Sequence, residues 1–285
     1  MARDPGSSTA PDPYKYNPWR APGHAPVDDA CGRAGGTTPS HGHAGDAVFT
    51  TVRNPAFNVT FGDLGTQALP YAPSGTKWIA GEAVEVGWAI RYNHGGGYQY
   101  RLCKKDAPGG LTEACFQQLP LPFDRTKQAL LWNNGTRLPL RGLFVDEGTS
   151  PAGSTWARNP VPRVNAPSER DAGCLAVNAT ADVGCVSFAP PCPQDCSGQP
   201  RCATPAAHTD EGSQQGQCSG DWTGGQIVDT VIVPASTAPG EYVLGWRWDC
   251  EETTQVWSNC ADVTICAPGR PCNAPPPFVP PLESS

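Results

Sequence analysis

Thirteen cysteines spread along 285 residues, beside 32 glycines and 32 prolines, constrain this chain more than any other feature. Glycine and proline at that density break helices and cut strands short, so the backbone must pass through many turns and loops. A loop-rich chain holds its shape by cross-links, and cysteines provide them in an oxidising compartment. Zinc is the weaker use of these sulfurs, because no pair of C-x2-C spacings is present and there are only five histidines. Cys192, Cys196, Cys202 and Cys218 sit among Pro, Gly and Ser and read as a disulfide-bonded loop. The odd total implies one thiol left over or a partner outside the chain. Acceptor sequons at Asn58, Asn134 and Asn178 fit surface loops of a secreted protein.

The formal net charge of −7 argues against nucleic acid or an anionic membrane as partner, since both require basic patches. No run of about 18 apolar residues is present to span a bilayer. Residues 1–30 are polar and proline-rich and lack the apolar core of a secretory signal. A chain with secreted-type cysteine content and no export signal is expected to be truncated at its amino terminus.

Period-two patterning begins in the second quarter of the chain. Over Val84–Tyr92, Val84, Val86, Trp88 and Ile90 fall on one face and Glu85, Gly87, Ala89 and Arg91 on the other. Tyr98–Cys103, Gln226–Val233 and Tyr242–Asp249 repeat the alternation, and Ala261–Ile265 reads as a further strand. No amphipathic helix of three turns is evident. Short strands separated by Gly/Pro loops predict an all-β sandwich with one core. Residues 1–271 are read as that single domain, and 272–285, with its PPPFVPP run, as a Pro-rich tail. Residues 168–225 carry six cysteines but little hydrophobic periodicity, and read as a cross-linked insertion without a core of its own.

Two segments carry chemistry. Tyr92–Phe116 reads YNHGGGYQYRLCKKDAPGGLTEACF and sets His94 at a strand end before three glycines; Glu241–Ile265 reads EYVLGWRWDCEETTQVWSNCADVTI. Spacing alone makes His94 an ordinary hydrogen-bonded loop histidine and Trp257 a core or interface tryptophan. Together the segments resemble the lytic polysaccharide monooxygenases of the chitin-binding type 4 group and its insect, algal and oomycete relatives. In that family the histidine of N-H-x-G-x-[FY] ligates copper, and an aromatic residue five positions before the Asp of C-A-D-[VI] lies on the copper axis. The resemblance assigns these roles to His94 and Trp257, with Asp262 structural.

The resemblance implies an immunoglobulin- or fibronectin-III-like sandwich. It also implies copper held by two imidazoles and a terminal amine, with open positions for oxygen or peroxide. Its substrate would be a β-1,4-linked polysaccharide of chitin or cellulose type, its reductant an external electron donor, and its working form a monomer. It pairs Cys103 with Cys115 and sets Cys250 with Cys260 at a late hairpin. Relatives begin with His-Gly and continue to P-x-[AS]-R-[ND]. Met1-Ala2-Arg3-Asp4 resembles the end of that segment, so the first copper ligand is expected upstream and the chain as written is expected to be inactive. The pair His41-Gly-His43 is a weaker alternative start, because cleavage there would discard Cys31 and NPWRAPG. Tyr98, Tyr100, Trp132 and Trp156 are candidates for stacking on sugar rings, against the plainer reading of strand aromatics as core. Two non-enzymatic alternatives stand beside this reading: a secreted polysaccharide-binding protein lacking a complete brace, and a cysteine-rich extracellular matrix protein.

Overall fold

The computed structural model describes residues 18–33, 62–68, 73–89, 95–132, 135, 137–160, 225–251, 255–269 and 272. Ten strands form two sheets. They are β1 (Lys77–Ile79), β2 (Ala83–Trp88), β3 (Gly97–Lys104), β4 (Phe123–Trp132), β5 (Arg137–Leu140), β6 (Phe144–Val145), β7 (Trp156–Arg158), β8 (Gly225–Ile232), β9 (Gly240–Asp249) and β10 (Val256–Cys266). One sheet has the order β1-β10-β9-β3-β7-β6 and the other β2-β8-β4-β5. β1 runs parallel to β10, while the other strand pairs are antiparallel. The chain crosses from one sheet to the other between β1 and β2, through Gly81 at φ +91°. A β2–β8–β4 layer set against β10–β9–β3, with a first strand parallel to the last, is the immunoglobulin-type sandwich. Among the described residues, helix is limited to α1 (Gly65–Ala68), α2 (Glu113–Phe116) and a 3-10 turn at Pro18–Arg20.

The alternating residues of the sequence line the space between the sheets. Tyr98, Tyr100 and Leu102 of β3 stand opposite Trp248, Trp246 and Leu244 of β9. Val86 and Trp88 of β2, Ile227 and Val231 of β8, and Val263 and Ile265 of β10 complete the core. The expected strand Val84–Tyr92 is a strand only as far as Trp88, and residues 90–94 lie outside those described, as do 168–224 of the insertion. β4 was not evident in the sequence because its register shifts between Phe123 and Gln128, which breaks the alternation.

The outer face of β3 and β9 is also closed. Residues 18–33 lie across it, with the Trp19 amide donating to the Cys250 carbonyl (3.1 Å) and Arg247 Nη2 to the Ala25 carbonyl (2.8 Å). The strap is fastened to β10 by the disulfide Cys31–Cys260 (Cα–Cα 5.0 Å). Beneath it Arg247 donates to Asp249 through Nε (2.7 Å), and both are fully buried. Glu113 of α2 accepts from Arg247 Nη1 (2.9 Å) and from Arg101. The aromatic ring of Phe116 in α2 occupies the space that Gly245 leaves on β9.

Disulfides partly follow the expectation. Cys103 is bonded to Cys115, with Cα atoms 5.4 Å apart, and Cys266 to Cys272. Cys260 is bonded to Cys31 and not to Cys250. The β9–β10 register explains the correction. Asp249 pairs with Val256, so Cys250 sits at the turn, whereas Cys260 pairs with Gly245, five positions along β9 from Cys250. That offset is about 17 Å of strand, beyond disulfide reach. The two side chains also face opposite ways, Cys250 into the inter-sheet core and Cys260 toward the strap.

Candidate functional site

One end of the sandwich gathers the segments singled out by sequence. Gly97 of β3 pairs with Asp249 of β9, which pairs with Val256 of β10. Arg158 of β7 also pairs with Gly97, and Trp132 of β4 pairs with Gly225 of β8. The end of β2 at Trp88 and the start of β3 at Gly97 both lie at this end. Pro160, just after β7, and Gly225, which opens β8, both lie close to this end in strand position.

Three glycines make the turn into β3 possible. Gly95 and Gly96 have φ of +63° and +72°, where a side chain is strained. A Cβ on Gly96 would lie 2.0 Å from the Asp249 carbonyl oxygen, and one on Gly97 would lie 2.4 Å from the Trp19 ring. The turn is anchored from several elements. Trp248 Nε1 donates to the Gly95 carbonyl (2.7 Å), and the Asn159 amide donates to the Gly96 carbonyl (2.9 Å). Glu251, largely buried, accepts from Arg158 Nη2 at 2.9 Å beside the Gly96 amide. Trp19, next to Pro18, brings the amino-terminal strap to the same end.

Trp257 is half-buried on β10, in register with Trp248, which is itself in register with Tyr98. Its indole Nε1 donates to Gln255 Oε1 (2.9 Å). Trp88 of the opposite sheet packs under this row, its ring centroid 5.4 Å from Trp248 and 4.8 Å from Trp246. Trp257 thus closes an aromatic column at the sandwich end. His94 falls outside the described residues, but its neighbour Gly95 is tied to the cross-strand partner of Trp257. Among the described residues no group of three or more His, Cys, Asp or Glu could hold a metal ion. Asp262 is partly exposed, and its carbonyl accepts from Ser74 Oγ (2.6 Å).

The sugar-stacking candidates are corrected by burial. Tyr98, Tyr100 and Trp156 are at most 1% exposed, so no sugar ring reaches them. Tyr98 and Tyr100 point between the sheets, and Trp156 lies under the strap with the Arg247 guanidinium 5.7 Å from its ring centre. Trp132 ends β4, and its stacking role falls outside what is described. The alternative His41-Gly-His43 also lies outside.

Sequence reasoning missed two buried polar clusters. The first is Arg101–Glu113–Arg247–Asp249 beneath the strap. Burial opposes the Glu113 charge, but the Arg101 and Arg247 guanidinium groups outweigh it and hold the carboxyl below the usual glutamate range. The second is Asp229 on β8, between the sheets, with Tyr98, Tyr100 and Gln128 around it. A signal for the first was present in W-R-W-D, where Arg247 and Asp249 share the strand face opposite the tryptophans.

The fold and these three disulfides define an all-β, disulfide-bonded immunoglobulin-type sandwich, and among the described residues no helix is long and apolar enough to cross a membrane. No protein-family model matches the chain, and no curated protein does. Among solved structures, a family 123 glycoside hydrolase from Clostridium perfringens, described for glycolipid glycan hydrolysis, is 6% identical at a TM-score of 0.24. The match covers 67% of this chain and 23% of that one. A likeness this slight carries no argument about fold or activity.

Proposed function

We propose that this protein, in its intact secreted form, is a copper-dependent enzyme of the lytic polysaccharide monooxygenase type acting on β-1,4-linked polysaccharide of the chitin or cellulose kind. One observation supports the reading most. The carbonyl of Gly95, the residue after His94, is bound by Trp248, the cross-strand partner of Trp257, so two segments 163 positions apart in sequence converge at one sandwich end. In this reading His94 supplies one imidazole, and an amino-terminal histidine ahead of Ala2 supplies the second imidazole and the amine. The described residues at this end add no ligand. Trp257 has no lone pair to offer a metal and its N–H is held by Gln255, so it would line the site without ligating and limit the approach of water. Bound copper would supply one-electron chemistry with oxygen or peroxide, fed by an external donor. The glycine turn, Trp248 and the Arg158–Glu251 pair would fix the backbone that carries His94.

Calorimetry with copper(II) tests the proposal on two proteins, the chain starting at Met1 and the same chain preceded by a native segment that begins with histidine. The extended protein is expected to bind far more tightly and to oxidise chitin or cellulose, and His94→Ala is expected to abolish both. Equal, weak binding by both proteins would refute the brace and leave a non-catalytic polysaccharide-binding protein. Failure to be retained by chitin, cellulose or xylan would then favour an extracellular matrix role.

A further inference from the structure

The deepest polar group between the sheets has no part in the proposed copper chemistry. Asp229 sits on the inward face of β8, 1% exposed, among the apolar side chains of both sheets. Its carboxylate ties the layers together. Tyr98 Oη (2.8 Å) and Tyr100 Oη (3.3 Å) donate to Oδ2 from the six-stranded sheet, and Gln128 Nε2 (2.9 Å) donates to Oδ1 from β4 of its own sheet. Gln128 Nε2 also reaches Tyr98 Oη at 3.0 Å. On β2 its cross-strand neighbour is Val86, with Trp88 beyond, and from β9 Leu244 and Trp246 pack into the same core. None of these elements presents a Lys, Arg or His to the carboxyl; the nearest buried guanidinium groups, Arg101 and Arg247, lie on the far face of the six-stranded sheet.

Two forces oppose each other at Asp229. The three donors favour the carboxylate, whereas burial without a cation favours the neutral acid. Burial is the larger and pushes the group up to about 6, against roughly 3.9 for an exposed aspartate. Tyr98 and Tyr100 are held well above the usual tyrosine range, first by burial and then by the Asp229 charge, so they remain donors throughout. Gln128 suits both protonation states. Its Oε1 is buried without a partner, so the amide can donate to a carboxylate or, turned over, accept from a carboxylic acid.

We propose that Asp229 is a proton-operated clasp between the two sheets, closed most firmly in mildly acidic surroundings and weakened when the carboxyl loses its proton in the core. The folded state holds the proton more tightly than the unfolded chain. Its contribution is therefore complete below about pH 4 and lost as pH rises through about 6. A difference of two pKa units corresponds to about a hundredfold in the folding equilibrium.

Urea unfolding of the wild type and Asp229→Asn at steps from pH 4.5 to pH 8 tests the clasp. Asparagine keeps the shape of the neutral acid, so the variant should fold within about fivefold of the wild type at pH 4.5 and more favourably above pH 7, by about a hundredfold. Parallel curves, or a variant as much weaker at pH 8 as at pH 4.5, would overturn the proposal. A 13C carboxyl titration of the wild type decides it even if the variant does not fold. A midpoint near 6 supports the clasp, and one at the ordinary aspartate value, roughly 4, overturns it.

Discussion

Removing Cys31–Cys260 by Cys31→Ser with Cys260→Ser should cost far more than removing Cys103–Cys115 the same way, although each pair is one bond. The difference lies in the unfolded chain. A bridge that closes a loop of n residues lowers the entropy of the unfolded state by an amount that grows with ln n. Cys103 and Cys115 are 12 positions apart, and Cys31 and Cys260 are 229 apart. The loop-entropy relation then gives about 3 kcal/mol for the short bridge and about 5.5 kcal/mol for the long one. Cross-links within Cys174–Cys218 would shorten the large loop by a few dozen residues, which lowers its figure by only about 0.2 kcal/mol. A small domain has about 5–15 kcal/mol in total, so the long bridge alone decides whether the fold survives at 37 °C. Equilibrium urea unfolding measures both losses, and the long-bridge variant should also show a steeper dependence on urea, because its unfolded chain exposes more surface. Equal losses with equal slopes would show that chain entropy is not the source of the stabilisation.

Two further outcomes follow from local geometry. Glu113 is held below the usual glutamate range by its two arginines, so its contribution is present above about pH 4–5 and disappears as pH falls through the depressed value. Glu113→Gln should be clearly less stable than the wild type at pH 6, with the gap narrowing as pH falls below the ordinary glutamate range; a constant gap in urea midpoint would contradict the ion-pair account. Gly96→Ala and Gly153→Ala impose similar backbone strain, at φ +72° and +76°, yet only Gly96 faces an obstacle, the Asp249 carbonyl at 2.0 Å. The Gly153 variant should lose about 1 kcal/mol and the Gly96 variant several times more in thermal unfolding, and equal losses would count against the close approach at the site.

Where one face of a strand is apolar and the register is regular, the sequence was legible. β2, β3, β8 and β9 stand within a few residues of the positions their alternation predicts. The other face of β3 was not. Gln99 and Arg101 lie on that face and are buried, Gln99 donating to the Thr155 carbonyl ahead of β7 and Arg101 to Glu113 of α2, and strand alternation marks neither contact. Cys31–Cys260 was hidden for the same reason, since spacing informs only about short loops. Asp229 carries no signal of its side in I-V-D-T-V-I because Val and Ile occupy both phases of the alternation, leaving its inward side undetermined until the sheets are paired. The glycine turn and Trp257 were legible as a site through residue identity, whereas the anchors Trp248, Asn159 and Glu251 emerge only once β7, β9 and β10 meet.

The bond between Cys31 and Cys260 also bears on proteolysis. It joins the first described segment to the last strand, so a protease that cuts at a single place between them releases nothing. The nicked protein would keep its mass and migrate as one species until a reductant parts the fragments. A large fragment freed only under reducing conditions is therefore the mark of a cut within residues 32–259, whereas a cut within 267–271, behind Cys266–Cys272, frees only the short end segment, and loss of the segment ahead of Cys31 requires a cut on its own side of that sulfur.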